Sequence, residues 1–387
     1  MAAEKKRPRG LKSSAGLKSA KKTKVDQDIS EVPENAQTVV LDKEVEEGDE
    51  VGEAAALLES ALEKVEKNPS EALALLRGTV HESDRILRNW SGEQSLPPKF
   101  YFTYGSALYE LGRLTEDEEF DAYLEAAEER LQDGLDHAKE NENEEHLQDI
   151  NRIKVTLGKI QIVKAASKVD FDEVTDDVQN AFNMIDQSLE ASQLSNAQKV
   201  ELAAVINNHG SLYTKLDARE RFREWADNLL CDVLKGIVRS KTGRKEQRVK
   251  QLVADDSSNV QAMIQLAYCK RSMVDYWLDQ IDQQEDNDER SENEEDNKKA
   301  YEAVLLCKKH LMQAYDILEN DHNLTPEIVT DLAEVILNEA NLLSEEKEQS
   351  ERYNEAVEYI RKAQSIASED YNLPEDLESF LKEFEAN

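Results

Sequence analysis

Between Ser95 and Leu135 apolar residues return every three or four positions, interrupted once by a short polar break. Phe100, Tyr104, Ala107, Leu108 and Leu111 share one helical face, and Gly112 ends that helix. Thr115 with Glu118 three residues on reads as a capping box, after which Phe120, Tyr123, Leu124, Ala127, Leu131 and Leu135 form a second stripe. Pro97 and Pro98 set the entry, and the small residues Gly105 and Ala107 let another backbone come close. The stretch therefore predicts two helices folded back on each other.

The same pattern recurs along most of the chain. Ala54 to Val65 predicts one helix, and Ser70, beyond Pro69, opens another that carries Leu73, Leu76, Val80, Ile86 and Leu87. Leu147, Ile150, Ile153, Leu157 and Ile160 precede a strictly spaced run of Val174, Val178, Ala181, Phe182, Ile185 and Leu189. Ser195 with Gln198 makes a further capping box, for a helix carrying Val200, Ala203, Ile206 and Gly210; its partner holds Phe222, Trp225, Leu229 and Val233. Met263 to Ile281, Tyr301 to Leu318, Ile328 to Leu342 and Tyr353 to Ala367 continue the series, with Thr325 as N-cap and Pro326 at the first helical position of the third. A last amphipathic helix from Pro374, with Leu377, Phe380, Leu381 and Phe384, has the form of the terminal cap that stacked hairpins need.

A hairpin cannot bury both of its apolar faces alone, so a chain of hairpins must stack. Gly105, Gly158, Gly210, Ser272 and Ala340 mark the first helix of successive pairs at separations of 53, 52, 62 and 68 residues. These exceed the roughly 34 residues of a regular tetratricopeptide repeat, although YGSALYELGRL, NHGSLYTKL and YNEAVEYIRKAQ keep its small-large-aromatic order. The fold class expected is all-α: a tetratricopeptide-like stack of antiparallel helix pairs, an α-solenoid, with an irregular helical bundle as the alternative. Only Thr38 to Leu41 has the look of a strand. The 13 glycines and seven prolines in 387 residues agree with helices rather than hairpin-rich sheets.

Composition divides the chain. Residues 1–52 are charged and aperiodic, which predicts a disordered tail, leaving 53–387 as the helical-repeat domain with an acidic linker around 282–298 (overlapping QIDQQEDNDERSENEEDN at 280–297). The net charge is −35, but the first 24 residues hold nine Lys/Arg against one Glu, so without them it becomes −43. An acidic body repels phosphate and favours basic partners. In the tail, Lys5, Lys6, Arg7 and Arg9 followed by Lys21, Lys22 and Lys24 have the form of a bipartite nuclear import signal; the competing reading is an arm that adheres to nucleic acid. A second basic run, Arg239, Lys241, Arg244, Lys245, Arg248 and Lys250, is either a solvated connector or a docking patch for an acidic ligand such as RNA.

No chemistry declares itself. Cys231, Cys269 and Cys307 are far apart and odd in number, which points to a reducing compartment rather than a disulfide framework. The six histidines fit no metal-ligand spacing, and GxxxxGK[ST], GxGxxG and GxSxG are absent. No run reaches the roughly 18 apolar residues of a membrane span, and no secretory signal follows the basic N-terminus. The chain therefore reads as a non-enzymatic protein without cofactor or metal, built to bind other proteins. If the first helix of each pair lines a groove, Asn207, Asn208, His209, Asn338 and Asn341 are its candidate contacts; the plainer reading makes them solvent-facing or bonded to a neighbouring turn.

The basic tail together with LPPKFYFTYGSALYELG at 96–112, NNHGSLYTKLDARERFREWADNLL at 207–230 and YNEAVEYIRKAQ at 353–364 resembles the fungal enhancer of translation termination family. The resemblance implies an all-helical nuclear adaptor that binds a prolyl-hydroxylase-like dioxygenase dependent on 2-oxoglutarate and iron, with the translation termination machinery as a further candidate partner; the basic clusters themselves point to a nuclear import receptor. It also implies roles in oxygen-responsive transcription and in termination. It supplies no catalytic residue, and only the basic clusters of the tail map onto it, as the import signal. Two other classes remain: an RNA- or ribosome-associated factor acting through the tail and residues 239–250, and a co-chaperone gripping acidic C-terminal peptides, which the acidic body disfavours.

Overall fold

A computed structural model describes residues 45–46, 48–65, 68–91, 95–115, 117–140, 144–168, 170, 172–239, 257–286, 293–368 and 371–386. Among these residues there are thirteen α-helices and no strand. The chain divides into two compact units, one holding the first six helices and the other the remaining seven. In each, consecutive helices pair antiparallel and the pairs stack, as the hydrophobic spacing predicts.

The first unit contains α1 (Glu50–Leu62), α2 (Pro69–Asn89), α3 (Pro98–Arg113), α4 (Asp117–Glu140), α5 (Leu147–Ala165) and α6 (Asp176–Ser192). α1 begins four residues before the expected start at Ala54, because Asp49 accepts a hydrogen bond from the Gly52 amide (2.8 Å) and caps it. Asn68 rather than Ser70 caps α2, taking the Glu71 amide at 3.3 Å with Pro69 at the first helical position. Pairs α1/α2, α3/α4 and α5/α6 stack so that α3 touches both α1 and α5.

α3 is the centre of this unit. Every residue from Phe100 to Gly112 is buried, so the helix has no wet face at all over that span. A side chain at Gly105 would stand 2.5 Å from Leu131 Cγ, and one at Gly158 2.7 Å from Ile185 Cγ1. These glycines fix how closely α3 approaches α4 and α5 approaches α6. One capping expectation changes: the Thr115 hydroxyl donates to the Gly112 carbonyl (3.1 Å) and so serves the end of α3, while the Glu118 side chain lies outside the described residues.

The second unit contains α7 (Asn196–Gly210), α8 (Leu216–Arg239), α9 (Ser257–Asp286), α10 (Asn293–Asn320), α11 (Pro326–Leu342), α12 (Glu346–Ile366) and α13 (Glu375–Ala386). The capping box forms as expected, with the Gln198 amide donating to Ser195 Oγ (3.2 Å) and the Ser195 amide to Gln198 Oε1 (3.0 Å). Ala267, Val304, Leu311, Val329, Leu332 and Ile336 build the core shared by α9, α10 and α11. Leu377 and Leu381 of α13 lie on Ala333, Val357 and Ile360, the capping arrangement expected of a terminal helix.

The acidic stretch read as a linker over 282–298 is helical at both ends, since α9 runs to Asp286 and α10 starts at Asn293. Glu, Gln and Asp tolerate helix well enough when their neighbours are already in it, so acidity alone does not mark a break. The import-signal clusters, Thr38 to Leu41, and residues 240–250 lie outside the described residues. Of the second basic run only Arg239 is placed, at the end of α8.

Candidate interaction surfaces

The five polar residues proposed for a groove fall into two sets, one at the end of α7 and one at the end of α11. At α7, Asn208 is exposed but Asn207 and His209 are buried, at 4 % and 3 % exposure. His209 Nε2 and the Tyr213 hydroxyl share a hydrogen bond of 2.9 Å, and the imidazole meets the Phe222 ring edge-on with centroids 5.7 Å apart. Burial pushes the imidazole down to about 4, so it is neutral at ordinary pH. Asn207 Oδ1 takes a long hydrogen bond, 3.5 Å, from Ser272 Oγ on α9. Asn207 and His209 thus belong to the seam between helices and do not face a ligand. The cause is Gly210, which lets Phe222 of α8 close over the last turn: a side chain there would sit 2.6 Å from Phe222 Cβ.

On α11, Asn338 is half-buried and Asn341 exposed, its Oδ1 accepting from the Tyr353 hydroxyl at 2.8 Å. These two continue a row that begins with Asp331 and Glu334, all on one face at spacings of three and four. Facing that row, α9 brings Tyr268 and Arg271. The Tyr268 hydroxyl donates to Asp331 Oδ2 (2.7 Å), Arg271 Nη1 to Asp331 Oδ1 (2.8 Å), and Arg271 Nη2 to Glu334 Oε2 (2.6 Å). Burial raises the Glu334 carboxyl, Arg271 opposes the shift and Asp331 adds to it. Asp275, exposed one turn beyond Arg271, brings a further carboxylate to the α9 side. The result is an open polar face with more acid than base, crossed by two tyrosine hydroxyls. It suits recognition of a basic protein surface better than a phosphate.

A second polar junction joins α8 to α9. Asp227 Oδ2 accepts from Arg223 Nη1 (3.1 Å) and from Lys270, with all three side chains about 15–16 % exposed. Nearby Cys269, like Cys307, is buried, and burial pushes the Cys307 thiol up to about 12, far from a reactive thiolate. Among the described residues no three His, Cys, Asp or Glu side chains are placed to hold a metal ion, and no helix is long and apolar enough to cross a membrane. Sequence reasoning missed the α9/α11 row and the Asp227 junction. The spacing of Asp331, Glu334, Asn338 and Asn341 was readable, but their partners on α9 were not.

A protein from Schizosaccharomyces pombe, named negative regulator of ofd1, is 33% identical over 157 residues, covering 34% of this chain and 40% of that one. Enhancer of translation termination 1 from Meyerozyma guilliermondii is 28% identical over 199 residues, covering 50% of this chain and 44% of that protein. The chain thus spans about two-fifths of the length of these curated relatives. Among solved structures, one of the S. pombe nuclear import adaptor Nro1 superposes with a TM-score of 0.52 at 21% identity, over 87% of this chain and 99% of that one. Another, described as the hypoxic regulator of sterol synthesis Nro1, a nuclear import adaptor, gives 0.54 at 20% identity, over 87% and 93%. At that identity the likeness speaks for the fold alone, and the fold it shares is the stack of helix pairs. The family model described as nuclear pore complex subunit Nro1 matches residues 1–228, more than half of the 387, and the chain belongs to that family.

Proposed function

We propose that the chain is a non-enzymatic nuclear adaptor that binds a prolyl-hydroxylase-like 2-oxoglutarate dioxygenase and acts in hypoxic gene expression and translation termination. The observation that carries this reading is membership of the Nro1 family by a protein built from stacked helix pairs. The relatives' names supply the partner and the process: one is called a negative regulator of ofd1, others enhancers of translation termination. Stacked helix pairs work by presenting faces to other proteins, and the α9/α11 row is such a face. The basic clusters at residues 5–9 and 21–24 supply the address, read by a nuclear import receptor.

The test is capture of partners from a fungal nuclear extract on the purified full chain, followed by mass spectrometry. The reading expects the dioxygenase among the captured proteins and retention that survives nuclease treatment. Capture that disappears with nuclease, or that yields ribosomal particles alone, would favour the RNA-associated alternative acting through the tail and residues 239–250. Changing Lys5, Lys6, Arg7, Lys21 and Lys22 to alanine should leave the helical content unchanged and spread the protein into the cytoplasm; undiminished nuclear accumulation would remove the import signal from the account.

A further inference from the structure

Seven prolines stand in the chain, and only Pro326 follows a hydroxyl-bearing residue, Thr325. α10 is closed off just before it: His322 turns left-handed (φ 57°) and the Asn323 amide returns to the Leu318 carbonyl (2.9 Å). Residues 323–325 then run without helix, Leu324 packing into the core and Thr325 lying exposed with extended backbone (φ −106°, ψ 153°). Thr175 and Ser195 accept backbone amides, and Thr115 donates to a carbonyl. Thr325, in contrast, makes no capping bond.

An exposed hydroxyl on extended backbone, directly before a proline ring, is what a proline-directed protein kinase requires of its substrate. We propose that Thr325 is the phosphoacceptor for a kinase of that class. Thr325 Oγ attacks the γ-phosphorus of a nucleoside triphosphate; the new O–P bond forms as the bond to the β,γ-bridging oxygen breaks, the nucleoside diphosphate leaves, and the hydroxyl proton passes to the kinase's catalytic base. The product places close to two negative charges before the first turn of α11, where amides without intrahelical partners favour an anion and Glu327 opposes it. The phosphate also adds to the acidity of the helix that carries Asp331 and Glu334. This goes beyond the adaptor reading and does not depend on which protein is bound.

The test incubates the folded full chain with a proline-directed kinase and ATP and locates the phosphate by tandem mass spectrometry. Modification at Thr325 is expected, lost in Thr325→Ala and in Pro326→Ala, with circular dichroism showing that the Pro326→Ala chain keeps its helix content. Equal modification of the Pro326→Ala chain would overturn the proposal, as would a Thr325 phosphorylated only after unfolding in urea. The phosphorylated protein should melt no lower than the unmodified one; a lower melting temperature would overturn the placement of the phosphate against the α11 amides.

Discussion

The two units use one arrangement of helix pairs but hold it with different physics. In the first, the central helix is enclosed: α3 is buried from Phe100 to Gly112, and even its charged neighbour is drawn in, Lys159 standing 4.0 Å over the Tyr109 ring and 3.8 Å from Glu110. In the second, ion pairs stitch adjacent and alternate helices: Asp227 to Lys270, Arg271 to Asp331 and Glu334, and Lys308 to both Glu339 (2.7 Å) and Glu355 (3.1 Å). Apolar burial is insensitive to salt and unforgiving of lost volume; ion pairs that reach the surface behave the opposite way. Inter-helix ion pairs occur in the first unit too, Arg85 to Glu50 (3.0 Å) and Lys164 to Glu128, but its central helix is enclosed, whereas the second unit keeps polar faces on which recognition can be built.

The sharpest way to break this contrast is to empty the first core. Phe100→Ala removes a ring that is 0 % exposed, and should cost about 4 kcal/mol in urea denaturation, since α3 has no free side toward which to relax. A loss below about 1 kcal/mol would mean that α3 is not the enclosed centre of its unit. Asp227→Ala comes next, at about 3 kcal/mol, because it strands Lys270 and Arg223 in a mostly buried junction. The triple change Asp227→Leu with Lys270→Met and Arg223→Met removes both stranded cations and should recover much of that loss, and failure to recover would show the cost to be packing rather than stranded charge.

The third effect is titration. The His209 imidazole is held near 4 in the folded chain against about 6.5 when unfolded, so between those values the unfolded state binds more protons and stability rises with pH. The contribution is fully present above pH 6.5 and is lost as pH falls toward 4, with a span of about 3 kcal/mol. Urea midpoints measured from pH 7 to pH 4 should fall less in His209→Phe than in the unaltered chain. Parallel falls would remove His209 as the sensor.

These particulars show what a sequence can and cannot hold. The hairpin at 98–140 and the capping box at Ser195 were legible because their signals are local: apolar spacing on a single helix, and a hydroxyl three residues from a glutamine. Asn207 and His209 were misplaced because a polar residue on a helix looks the same whether it meets water or a neighbouring helix, and Phe222, which covers His209, lies across a turn. Asp227 and Lys270 are 43 residues apart, and among 83 acidic residues no pairing could be singled out beforehand. The acidic ends of α9 and α10 were read as linker for a related reason: charge predicts exposure, and exposure is compatible with helix.

The smallest effect separates the open face most directly from the closed core. Arg271 is about a third exposed and bonds two carboxylates, of which it shares Asp331 with Tyr268, so Arg271→Ala should cost about 1 kcal/mol at low salt. The difference should shrink in 1 M salt, where the Debye length falls to about 3 Å and the field of a partly exposed charge is damped, whereas the Phe100→Ala difference should not. Arg271→Lys is the informative control, since a single ammonium cannot reproduce the fork that spans Asp331 and Glu334 and should restore only part of the loss. If the Arg271→Ala deficit stayed the same at high salt, the α9/α11 seam would be held by packing in the manner of α3, and the distinction between a core unit and a polar-faced unit would fail at the face where the proposed partner would dock.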